Sequence, residues 1–160
     1  MKEKITTTRR VISVIVLNEH SVLSRISGLF AGRGYNIESL TVAPIPDSEF
    51  SRFTIVTSGN ARVIEQIVKQ LHKLIPTYKV IENVDFVEKE MALVKLPLSS
   101  DFNGLDAILK AYNGTVANAG EDFIIVMVAD DSDRVGHFIK AMKKYNPIEI
   151  VRGGSVAMER

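Results

Sequence analysis

The sequence predicts an α+β chain made of two consecutive ferredoxin-like βαββαβ units. Three observations predict it. Short runs rich in β-branched residues alternate with apolar stripes at three- and four-residue spacing, in the order β-α-β-β-α-β. The same order of elements returns after residue 90, with no repeat of the sequence itself. The longest apolar runs, such as residues 123–129, are strand-length, far short of the ~20 residues that cross a bilayer.

Taken in order, residues 11–17 form a β-branched run interrupted only by Ser13, which reads as a buried strand. Val22, Leu23, Ile26, Leu29 and Phe30 then make one helical stripe. Gly34 supplies the left-handed stop. Residues 35–43 alternate as a strand, and Pro44 and Pro46 close it. Residues 50–57 are a third strand, with Phe53 and Ile55 on one side and Thr54 and Val56 on the other. Asn60 is an N-cap candidate for a second helix. Its apolar face carries Ile64, Ile67, Val68, Leu71, Leu74 and Ile75, and Pro76 stops it. Residues 78–87 complete the first unit as a fourth strand.

The second unit starts with a strand at 90–98. A helix follows, with Leu105, Ile108, Leu109 and Tyr112 inward, ended by Asn113 and Gly114. Residues 115–119 and 123–129 read as a hairpin. A helix over 131–145 turns Val135, Phe138, Ile139 and Met142 inward. A last strand covers 148–151 and can resume after Gly153 and Gly154. The charged residues Glu88, Lys89 and Glu90 mark the boundary, giving expected domains at 10–86 and 90–160. The linker has no Pro or Gly, so the halves are expected to touch.

Composition narrows the function classes. With 160 residues, 46% of them hydrophobic and 24% charged, the chain can bury a proper core. A net charge of +1 implies neither a nucleic-acid partner nor an acidic tail, and the short apolar runs imply no membrane span. Lys2, Lys4, Arg9 and Arg10 read as a solvated basic arm. The absence of cysteine excludes disulfides and thiolate metal sites and suits a reducing cytoplasm. The N-terminus alternates charge and Thr, unlike a signal peptide.

The most informative stretch runs from Asn18 to Pro44. A strand end, a polar turn and a helix start aim free backbone N–H groups at the space above the turn. Such a start favours an anion, for example the carboxylate of a free amino acid. No nucleophile, general base or metal cluster accompanies it, so catalytic and metal-ligating residues are expected to be absent. His20, His72 and His137 lack ligand spacing. Asp130, Asp131 and Asp133 fit an acidic helix start better than a cation site. Gly32-Arg33-Gly34 follows a helix, where a phosphate loop must precede one. Phe50, Phe53 and Tyr35 lack the basic interleaving of an RNA-binding sheet.

Leu23 to Pro44, with Arg-Gly-Tyr-Asn-Ile-Glu-Ser-Leu at its centre, resembles the small regulatory subunits of acetolactate synthase (acetohydroxyacid synthase). Ser51-Arg52-Phe53-Thr54, Glu65-Gln66-Ile67, Lys69 to Leu74 and Glu90 to Lys95 fit the same family. The match is dense from about Arg9 to Leu98 and thin beyond it.

The resemblance implies an N-terminal ACT domain, a module that binds amino acids. It implies a homodimer through these domains, with effector sites at their interface. It implies a large catalytic subunit as partner, carrying thiamine diphosphate, Mg and FAD, while this chain binds no cofactor. The small subunit would activate that partner and confer feedback inhibition by valine in branched-chain amino-acid biosynthesis. Effector-binding residues carried over are Asn18, Ser21, Val22, Leu23, Asn36 and Ile37. Asn36 would reach the effector from the facing subunit. Ser21 departs from the pattern, which usually has Gly; its hydroxyl can N-cap its own helix and compete with the effector, so looser or altered binding is expected.

Gly28 and Gly32 weaken the first helix unless another backbone approaches, which makes them candidate dimer contacts. Two alternatives stay open. A small hydrolase on the same plan needs an Arg-lined cradle where this chain has Asn18-Glu19-His20-Ser21. An amino-acid sensor acting on another enzyme or on transcription keeps the binding module, although a DNA reader needs a helix-turn-helix and both units use up their helices.

Overall fold

The computed structural model describes residues 6–82 and 84–160; Lys2 and Lys4 lie outside the described residues. The chain forms β1 (Thr8–Leu17), α1 (Val22–Arg33), β2 (Asn36–Pro44), β3 (Phe50–Gly59), α2 (Ala61–Lys73) and β4 (Thr77–Glu82). It continues as β5 (Phe86–Pro97), α3 (Leu105–Ala111), β6 (Thr115–Ala119), β7 (Phe123–Asp130), α4 (Ser132–Met142), a 3-10 turn (Lys143–Tyr145), β8 (Glu149–Arg152) and β9 (Val156–Glu159). The strand orders are β2-β3-β1-β4 and β6-β7-β5-β8, the ferredoxin-like arrangement twice, with β9 added against β5. The fold class read from the sequence is the one found.

Two compact units result: residues up to Val87 together with Ala157–Arg160, and Glu88–Val156. The last four residues thus group with the first unit, whereas the sequence reading leaves them in the second. The fourth strand also stops at Glu82, and β5 begins at Phe86, where one continuous strand to residue 87 is expected.

In the first unit the sheet's helix-facing side presents Ile12, Val14, Val16, Phe53 and Ile55, all buried. Val22, Ile26 and Phe30 of α1 and Ile64, Ile67 and Leu71 of α2 close over them. The α2 stripe therefore buries as its spacing requires, because residues three and four apart share one face. Asn60 caps α2 by accepting from the Val63 amide at 2.9 Å. Gly34 ends α1 at φ 65°, where its N–H reaches the Ala31 carbonyl.

The second unit repeats the plan around Ala92, Val94, Leu96, Val126, Phe138 and Tyr145. The Tyr145 hydroxyl donates to the Asn103 carbonyl at 3.0 Å, and the Ser100 hydroxyl donates to the Tyr145 carbonyl at 2.6 Å. These bonds pin the long turn before α3. At the start of α4 the acidic residues form ion pairs within the fold. Asp130 accepts from Arg134 Nε at 2.6 Å, and Lys89 Nζ donates to Asp131 at 2.8 Å. Arg134 also donates to the Ala111 carbonyl at 2.7 Å and lies over the Tyr112 ring.

The Arg134 hydrogen bond, helped by the Asp131 amide and by Lys89, holds the Asp130 carboxyl below its ordinary value of 3.8, although burial opposes this. A depressed carboxylate adds stability above its unfolded-state value and loses it as pH falls through the native one. Arg134→Gln is therefore expected to be less stable than wild type at neutral pH. The gap should narrow as pH drops below 3.8. Urea unfolding at a series of pH values measures this; a gap independent of pH contradicts it.

Candidate effector site

The β1–α1 turn is held from both sides. The Leu17 amide donates to the Pro76 carbonyl at 3.3 Å and the Asn18 amide to the Glu49 carbonyl at 2.8 Å. Arg25 of α1 donates to the Ile75 carbonyl at 2.6 Å. Between these anchors the chain bends through Ser21 at φ 72°, a left-handed conformation that a side chain disfavours. Helix α1 begins at the next residue.

This corrects one expectation. Ser21 makes no side-chain cap on α1. A capping serine needs extended backbone so that its oxygen swings over the first turn, and the left-handed bend denies that geometry. The Ser21 side chain therefore does not compete for the orphan amides at the α1 start.

Above the turn lies a cavity of about 120 Å³, lined by Val16, Leu17, Asn18, Glu19, Val22, Leu23, Val42, Ser51 and Phe53. Its walls are apolar except for Asn18, Glu19 and Ser51. Phe53 and Ser51 are buried and form its base on β3, while Leu23 is half exposed and Val42 lies on the outer strand β2. Asn18, Glu19 and Ser51 beside a helix start without a Ser21 cap, with apolar side chains over the rest, suit a small zwitterion with an apolar side chain.

Of the six residues expected at the site, Asn18, Val22 and Leu23 line the cavity, and Ser21 forms the bend beside it. Asn36 and Ile37 do not line it within one chain. Asn36 is exposed at the start of β2, where its carbonyl accepts from the Thr57 hydroxyl. Ile37 packs on the core of the first unit. Nothing lies within 4 Å of where a Cβ on Gly28 or Gly32 would sit, so both face open space. Among the described residues no cluster of three or more His, Asp or Glu side chains could hold a metal. No helix among them is long and apolar enough to cross a membrane.

The cavity residues not expected there from the sequence are Val16, Leu17, Glu19, Val42, Ser51 and Phe53. The period-two alternation of β3 carries part of the signal, since Ser51 and Phe53 share the side of Ile55. Val42 needs the pairing of β2 with β3, which sets it opposite Phe53.

Two family models divide the chain much as the structure does. The AHAS small subunit-like ACT domain matches residues 12–79, and the small subunit of acetolactate synthase matches 89–160. The acetolactate synthase isozyme 3 small subunit of Escherichia coli is 40% identical over 158 residues, covering 95% of this chain and 96% of that protein. The chain belongs to the family of acetolactate synthase small subunits. A probable acetolactate synthase small subunit of Archaeoglobus fulgidus is 39% identical over 154 residues, with 95% and 97% covered. The crystal structure of the small subunit from Thermotoga maritima superposes with a TM-score of 0.87 at 31% identity, covering 96% of this chain and 98% of that one. The first unit is thus an ACT domain. Membership in the acetolactate synthase small-subunit family implies a regulatory role beside a catalytic large subunit, in branched-chain amino-acid biosynthesis.

Proposed function

We propose that this acetolactate synthase small subunit holds valine in the cavity above the β1–α1 turn, at an interface between two ACT domains. Through it the chain confers feedback inhibition on a catalytic partner that it otherwise activates. In this reading the partner, a cytoplasmic enzyme, carries the thiamine diphosphate, Mg and FAD. The supporting observation is the cavity itself: the start of α1, without a Ser21 side-chain cap, lies beside it, and Val16, Leu17, Val22, Val42 and Phe53 are among its lining. The amides would take the carboxylate and Asn18 the ammonium or carboxylate. The apolar walls would take the branched side chain.

The outer position of β2 supports a shared site. Among the described residues β2 pairs only with β3, so its other edge offers a row of backbone groups to a second copy. Antiparallel pairing of two such edges about Leu40, the middle of Asn36–Pro44, sets Asn36 of a second copy opposite Pro44. That position is two residues from Val42 on the cavity wall. A residue far from the cavity within one chain would then reach it from the other. Gly28 and Gly32, facing open space on α1, leave room for the same approach.

The deciding experiment reconstitutes the chain with its own large subunit and follows acetolactate formation. Higher activity with the small chain, lowered again by valine, supports the reading. No activation, or activation that valine leaves untouched, overturns it.

Ser21 sets the affinity. Its left-handed backbone costs about 1 kcal/mol or more, which glycine escapes. Glycine also has more unfolded-state entropy to lose, so overall stability changes little. The ligand, however, gains closer access to the turn. Ser21→Gly is expected to bind valine about tenfold more tightly by calorimetry, an effect of about 1.4 kcal/mol. Equal affinity in the two chains removes this role for Ser21.

A further inference from the structure

The sheet of the first unit has a second face, turned away from its helices, and the last residues of the chain lie on it. Val11 and Val56, paired across β1 and β3, are 3% and 1% exposed although neither belongs to the main core. Ala157 and Phe86 pack on them. Glu159 lies 3.7 Å from Arg52 of β3, and that guanidinium also donates at 2.8 Å to the hydroxyl of fully buried Ser13. Arg160 closes the arrangement on Asp85, with its amide on the carbonyl at 3.1 Å and its guanidinium on the carboxylate at 2.8 Å.

Two physical features make this a device rather than a fixed strand. Beyond the pairing of β9 with β5, the attachment is light, because of these four residues only Ala157 is buried and both ion pairs are partly or largely exposed. A segment held so lightly opens at low cost. It also grips a critical place: Arg52 lies between Ser51 and Phe53, whose side chains form the base of the cavity on the opposite face. Whatever fixes Arg52 fixes the backbone that carries the cavity base.

We propose that Ala157–Arg160 are a releasable latch on the open face of the ACT sheet, and that the latched state is the one that binds the effector. This rests on the effector reading of the cavity given above. By linkage, valine then favours latching by the same factor by which latching favours valine. Release would uncover Val11 and Val56 and loosen residues 51–53. High salt should favour release, since the two ion pairs are screened.

The test compares the full chain with one ending at Val156 and with Glu159→Gln, by hydrogen exchange and by valine calorimetry. Exchange in peptides covering 9–16 and 50–58 should be about fivefold faster in the shortened chain, and valine affinity about fivefold lower. Glu159→Gln should shift both in the same direction by a smaller factor, with its circular dichroism unchanged. Added valine should slow exchange at Asp85 and Arg160 in the full chain. Should the shortened chain not fold, Glu159→Gln alone decides. Unchanged exchange in 9–16 and 50–58 overturns the latch. So does equal valine affinity in all three chains while the full chain binds. A full chain that binds no valine instead refutes the effector reading, and exchange alone then judges the latch.

Discussion

Phe53→Ala is expected to lower the unfolding free energy by about 3–5 kcal/mol, as removing a buried aromatic ring generally does. Phe53 is 2% exposed, packs in the main core of the first unit, and pairs with Val14 and Val42 on the flanking strands. Its removal leaves a void that rigid neighbours on both strands cannot fill. Since Phe53 is also the base of the effector cavity, the void extends that cavity. The variant should therefore prefer a larger aliphatic amino acid over valine by more than wild type does. Urea denaturation measures the first effect, and the ratio of leucine to valine affinity the second. A loss below about 1 kcal/mol contradicts the packing argument. An unchanged ratio contradicts the placement of the ligand.

Asn18→Ala is expected to weaken valine binding by roughly 10- to 150-fold. A hydrogen bond to a charged group contributes about 1.5–3 kcal/mol, and that range converts to this loss of affinity. The turn itself should survive, because Asn18 is anchored by its backbone amide on Glu49 and its side chain is exposed. Thermal melting should thus move little while calorimetry changes greatly. Valine affinity equal to wild type would remove Asn18 from the site.

Parts of this account are legible in the sequence because local rules settle them. The α2 stripe, the Asn60 cap and the Gly34 stop each depend on residues within one or two turns. Asn18, Val22 and Leu23 are equally accessible to reading, since they follow one another through a single turn. The cavity base is less so. Ser51 and Phe53 are more than 25 positions from that turn, and only the antiparallel register of β3 with β1 brings them beneath it.

Ser21 shows a different limit. Its residue type and position both suggest a cap, yet capping depends on a backbone angle that spacing does not encode. The tail shows a third. Gly153 and Gly154 signal a break, but the destination of the chain after them is fixed by contacts with Val11, Val56 and Asp85, all more than 70 positions away.

A site built from two copies requires that paired chains share the amino acid. Sedimentation equilibrium across a range of chain concentrations, with and without valine, asks this directly. Valine should move the monomer–dimer balance toward the dimer, and its apparent affinity should rise with chain concentration. Valine held equally well by single chains, with the balance unmoved, would contradict a site built from two copies.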